Sequence, residues 1–209
     1  TKLRSCMTTI LEIPLRDVKP SAIEDLKNKY PEATLRIEAD TALHSGTMDE
    51  AQFWAIIELF DWKQSDREAI VAPAVHALSA LSKADIQAFH DILNEKLYAL
   101  DGKRFAVQLG SNRYTPDESK HFSADDFLYA RCGVIANGRT FYESVLQNPK
   151  KMPREFTFET LLYLPEKAWA KKTGRDDYDH SPETWCETFS NPEGWPGVKT
   201  IKERITGVK

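Results

Sequence analysis

Apolar residues recur at intervals of three and four along most of the chain beyond Thr47, the spacing that lines one face of an α-helix. Phe53, Ile56, Ile57 and Phe60 share such a face, widened by Trp54 and Trp62. Thr47 followed by Glu50 has capping-box spacing at its start. Ile70, Val71, Ala74, Val75, Leu78 and Leu81 repeat the pattern over residues 66–81, with Pro73 inside the run. Proline lacks an N–H and fits a first turn, so this helix is expected to kink at Pro73 or to begin its regular part there. Ser82 and Asp85 mark the next start, and Ile86, Phe89, Leu93, Leu97 and Leu100 run down one face to Asp101-Gly102. That is the most strongly patterned helix of the chain. Phe105, Val107 and Leu109 predict a short helix, and GSNRYTPDESKHF a polar loop. Ser123 and Asp126 then have N-cap and N3 spacing, Asp125 adds favourable charge at the positive end of the helix dipole, and Phe127, Ala130, Val134 and Ile135 line the face. Gly138 is expected to close that helix as a left-handed cap. Phe141, Val145 and Leu146 predict a further helix, and Leu161, Leu162, Ala168 and Trp169 another that ends at Gly174.

The beginning of the chain follows a different period. TTILEIPL over residues 8–15 alternates moderately, as does ATLRIEA, where Leu35 and Ile37 face away from Thr34, Arg36 and Glu38. Both read as half-buried strands. Between them, Pro20 opens a short helix with Ile23 and Leu26 on its face, and Tyr30-Pro31 ends it. The expected fold class is therefore mostly α, a multi-helix domain with a small N-terminal strand-helix-strand unit. The expected divisions are that unit over residues 1–40, the helical domain over 47–174, and a C-terminal tail over 175–209 that is acidic, aromatic and rich in proline and glycine.

Composition narrows the function. A chain of 209 residues suits one domain with a small appendage. Its net charge of −4 argues against a generic nucleic-acid binder, because phosphate neutralisation by basic residues supplies most of such affinity. An acidic surface suits a basic protein partner instead. Cys6, Cys132 and Cys186 are odd in number and form no C-x-x-C pair, so reduced thiols and a cytoplasmic location are expected. No apolar run approaches the roughly 18 residues of a membrane span, and no membrane partner is expected. The apolar stretch near the start is broken by Glu12 and Pro14 and is not read as a signal peptide, while Met7 is a candidate native start.

Several segments in order resemble a bacterial family, domain of unknown function 4240. They are DEAQFWAIIE, LSKADIQAFHDILNEKLYALD, SADDFLYARCGVIANGRTFYESVLQNP and FETLLYLPEKAWAKKTG, together spanning about residues 48–174. The shared positions are Asp125, Asp126, Phe127, Arg131, Gly138 and Arg139. Cys132 and Gly133 depart from the family, which resembles itself there in a large aromatic or aliphatic residue. The resemblance implies a helical fold and carries no assigned activity.

The candidate chemistry is sparse. Asp125, Asp126, Arg131 and Arg139 could bind a polar ligand or perform acid–base work, or could cap helices and tie them together. His44, His76, His90, His121 and His180 include no i,i+3 or i,i+4 pair, so no metal site and no cofactor are expected. The run Asp176-Asp177-Tyr178-Asp179-His180 lacks the glycine and distal glutamate of a calcium loop. No G-x-S-x-G or phosphate loop occurs, and Cys132 reads as a small core residue. The expected function is a non-enzymatic protein-binding module, an immunity protein or antitoxin that occludes a toxin, with a basic nuclease effector as the example that its acidity suits. Its expected contact residues are Asp176, Asp177, Tyr178, Asp179, Glu183, Trp185 and Trp195. The alternative is a ligand-binding protein or enzyme built on the Asp125, Asp126, Arg131 and Arg139 cluster.

Overall fold

The computed structural model describes residues 25, 27–31, 48–116 and 122–198. The chain divides into two compact units, Thr1–Thr41 and Ala42–Lys209. In the first, Asp25 and Lys27–Lys29 are helical and the helix ends before Tyr30 and Pro31. Both expected strands lie outside the described residues, and the described residues contain no strand.

The second unit is helical. Its α-helices are α1 (Glu50–Ile57), α2 (Arg67–Ala80), α3 (Lys83–Ala99), α4 (Lys103–Ala106), α5 (Ala124–Ala136), α6 (Arg139–Gln147) and α7 (Leu164–Thr173). Short 3₁₀ turns occupy Pro149–Lys151 and Glu159–Tyr163. α2 and α3 both pack on α7, while α5 sits against α3, α6 and the second 3₁₀ turn. The core runs through all of them: Phe53, Leu78, Ile86, Phe89, Leu93, Leu97, Phe127, Val134 and Leu161 are each fully buried.

Local sequence explains most helix starts. Ser82 and Asp85 form a reciprocal capping box at α3, each side chain bonding the other's backbone N–H. Ser123 caps α5 by accepting the Asp126 N–H at 3.1 Å. At α1 a capping box is built two residues later than expected, from Asp49 and Gln52, and Thr47 itself lies outside the described residues. The Glu50 carboxylate instead bonds Lys96 at 2.7 Å, tying α1 to α3, and it accepts the Trp54 indole N–H. These contacts hold its carboxyl below the usual range, the Lys96 bond most of all. α2 starts neither at Pro73 nor after it. Asp66 accepts the Ala69 N–H at 2.8 Å and begins the helix at Arg67, with Pro73 inside.

Two glycines behave differently from each other. Gly174 has φ 69° and ψ 17°, the left-handed closure expected for α7. Gly138 has φ 87° but ψ 171°, so it is an extended connector that opens α6, and Asn137 closes α5. The expected left-handed cap is corrected accordingly. The positive φ still favours glycine there.

Gly133 accounts for the departure at Cys132-Gly133. A Cβ at Gly133 would lie 2.8 Å from Phe156 Cδ1 and 3.1 Å from the Phe156 carbonyl oxygen. Phe156 thus rests directly on the backbone of α5, stacked beside Phe158. Gly133→Val is expected to cost about 1–3 kcal/mol, the usual range for overpacking. Urea unfolding would measure the loss, and shortening Phe156 in the same chain should recover part of it.

Candidate functional site

Arg131 is a buried charge held by three hydrogen bonds. It lies on the inner face of α5, four residues from Phe127, and is 0% exposed. Its Nη1 donates to the carbonyl oxygens of Leu97 and Cys186, each at 2.9 Å, and its Nη2 donates to Thr188 Oγ1 at 2.9 Å. Thr188 passes a hydrogen bond on to the Ala124 carbonyl at 2.7 Å. The guanidinium also stacks over the Phe127 ring at 4.8 Å. Its Nε is buried without a hydrogen-bond partner. Burial pulls the Arg131 pKa down, and the charge of Asp101 opposes that pull.

Asp101 is the matching buried anion. It ends the turn after α3 and accepts three N–H groups: the Trp195 indole at 2.7 Å, the Asn191 backbone at 2.9 Å and the Phe189 backbone at 3.2 Å. The backbone comes close at the same point. A Cβ on Gly194 would fall 2.1 Å from the Asp101 carbonyl oxygen, and Gly194 accepts the Lys103 N–H at 2.8 Å. Trp195 is 1% exposed, packed among Tyr114, Phe122, Phe127 and Phe189. Residues 186–198 therefore close the core over the end of α3 and the start of α5, and residue 175 is not a structural boundary.

The four residues expected to form a polar cluster do not meet as one. Asp125 is exposed in the first turn of α5. Asp126 accepts from Asn112 Nδ2 at 2.7 Å. Arg139 pairs with Glu143 at 2.7 Å on the surface of α6. Arg131 is sealed inside. Cys132 is buried as a core residue, and burial pushes its thiol far above the usual range. Among the described residues, no three His, Cys, Asp or Glu side chains form a group that could hold a metal ion.

The residues expected to contact a partner divide into two sets. Trp195 is corrected: it is core, because Asp101 takes its indole N–H and four aromatic rings surround it. Asp177 and Tyr178 hold the tail down. Asp177 accepts the Trp169 indole N–H at 2.8 Å, and the Tyr178 ring lies 5.4 Å from that of Trp169. Asp176, Asp179, Glu183 and Trp185 are exposed, Trp185 at 57%. Trp185 directly precedes Cys186, whose carbonyl is fixed by Arg131. An exposed indole is thus held one residue from a buried tether.

Sequence reasoning missed a second exposed aromatic group. Trp62 is 47% exposed and lies 6.2 Å from Phe156 and 5.2 Å from Phe158. It also missed the contacts of His90 and His180 with the tail, since those histidines are 90 positions apart and only the folded tail unites them. No helix among the described residues is long and apolar enough to cross a membrane. No curated protein and no solved structure matches the chain. Residues 48–171, more than half of the chain, match the family described as Protein of unknown function (DUF4240), and the chain belongs to that family.

Proposed function

We propose that this protein is a non-enzymatic protein-binding module, a bacterial immunity protein or antitoxin that neutralises a basic toxin by occluding its surface. The observation that carries this reading is Trp185, an exposed indole mounted beside the Arg131 tether. An aromatic side chain on a fixed base loses little conformational entropy on binding, which is what an interface anchor requires. Asp176, Asp179 and Glu183 lie exposed on the same stretch of chain and supply complementary charge for a basic surface. Of the residues the sequence offered for catalysis, Asp126 bonds Asn112, Arg139 pairs with Glu143 and Arg131 forms the buried tether.

The partner expected on this reading is the product of a neighbouring gene. Purified together, the two should form a complex, and co-expression should rescue cells from the partner's toxicity. Trp185→Ala should weaken the complex by about 2 kcal/mol or more, roughly 30-fold in affinity, as for other aromatic anchors. Its exposed position predicts an unchanged unfolding midpoint. Titration calorimetry and urea unfolding give the two numbers. Absence of both complex and rescue would refute the proposal.

A further inference from the structure

We propose that residues 176–180 form a proton-operated latch, held closed on α3 by neutral His90 and opened by its protonation. This stands on the packing of the tail and does not depend on the identity of any partner. His90 Nδ1 and the Tyr178 hydroxyl are 3.1 Å apart, and the two rings lie 5.6 Å apart, centroid to centroid. The His180 ring is 5.8 Å from that of His90, and His180 Nε2 is 2.7 Å from Asp91 Oδ1. Trp169 of α7 closes the group, with Lys83 of α3 over its ring at 5.3 Å and Asp177 on its indole N–H.

The charges around His90 set the direction of the response. From α3 itself, Asp91 favours the protonated form. From the tail, His180 opposes it. From α7, Glu166 acts on Tyr178 but not detectably on His90. Lys83 and Asp177 face Trp169 rather than the imidazole. Burial is the largest influence, and together these bring the His90 pKa down to about 4. Protonation would make Nδ1 a donor toward the Tyr178 hydroxyl and would leave a cation half-buried beside a second imidazole. A depressed pKa in the closed form means that the open form takes up the proton more readily. Closure is therefore fully favoured above the ordinary histidine pKa of about 6.5 and is lost as pH falls from there toward about 4. His180 Nε2, 2.7 Å from Asp91 Oδ1, is a second attachment of the tail to α3.

The test is amide hydrogen exchange on the full chain between pH 7 and pH 4.5, corrected for the intrinsic pH dependence of exchange. Amides of residues 177–180 should exchange at least about tenfold faster at the lower pH, the response to one unit of pKa difference, while those of α5 stay protected. In His90→Asn, which keeps a hydrogen-bonding atom at the Nδ1 position but does not titrate, the acceleration should disappear. A parallel NMR titration of the wild-type His90 ring should give a midpoint below 5. A midpoint near 6.5 would overturn the proposal, as would an unchanged acceleration in the variant. Loss of α5 protection at the same pH would also overturn it, because that is global unfolding rather than a latch.

Discussion

Replacing Arg131 with alanine is expected to lower the free energy of unfolding by about 3–5 kcal/mol, the cost of removing one member of a buried, hydrogen-bonded charge system. Three acceptors lose their donor at once: the Leu97 and Cys186 carbonyls and the Thr188 hydroxyl. Two of them belong to the C-terminal segment, so the loss detaches that segment from α5. The favourable interaction of the guanidinium with the charge of Asp101 is lost as well. Arg131→Met separates packing from polarity. It keeps much of the side-chain volume over Phe127 and should recover part of the loss, but it leaves the same acceptors unpaired. Arg131→Lys should fall well short of wild type, since an ammonium lacks the planar fork that reaches Leu97, Cys186 and Thr188 together. Urea unfolding followed by circular dichroism gives all three values. A loss under about 1 kcal/mol for the alanine variant would mean that water replaces the guanidinium and that the tether is not structural.

The second large effect is expected at Trp195. Trp195→Ala empties a site bounded by Tyr114, Phe122, Phe127 and Phe189 and should cost about 3–5 kcal/mol. Trp195→Phe tests the polar half of the interaction. The ring remains, but Asp101 loses its shortest donor, the indole N–H at 2.7 Å, and the expected cost is about 1–3 kcal/mol. Both variants should raise hydrogen exchange across residues 189–195 before they affect α1. If Trp195→Ala left stability unchanged, the C-terminal segment would be a surface appendage, as its composition first suggested.

That contrast shows where the sequence was legible and why it stopped being so. The Ser82–Asp85 and Ser123–Asp126 starts could be read because a cap is decided within four residues. The buried stripe from Ile86 to Leu100 could be read because a helix face repeats on itself. The setting of Trp195 could not, since its partner Asp101 lies 94 positions away and the intervening chain gives no local sign of the contact. Its flanking prolines, glycines and acids have loop composition whether or not the loop is buried. Arg131 was open to a better reading. It lies four residues after Phe127 and four before Ile135, on the stripe that faces the core. A charge on an apolar stripe faces the core, where a charged side chain is tolerated only with partners. At α1, Thr47 and Glu50 offered a capping box that competes with Asp49 and Gln52, and spacing alone does not choose between them.

The Arg131 tether has a consequence for how this family is delimited. The donor lies within residues 48–171, but Cys186 and Thr188 lie beyond them, as do Phe189, Asn191 and Trp195, which occupy Asp101. The unit that folds is thus larger than the unit that is recognisable by sequence. Any relative that carries both the arginine and the aspartate must provide acceptors for one and donors for the other. Those groups are mostly backbone carbonyls and amides, which any sequence can supply. Positions 186, 189 and 191 therefore meet the tether and Asp101 through backbone alone, whereas Thr188 and Trp195 do so through their side chains and Gly194 through having none.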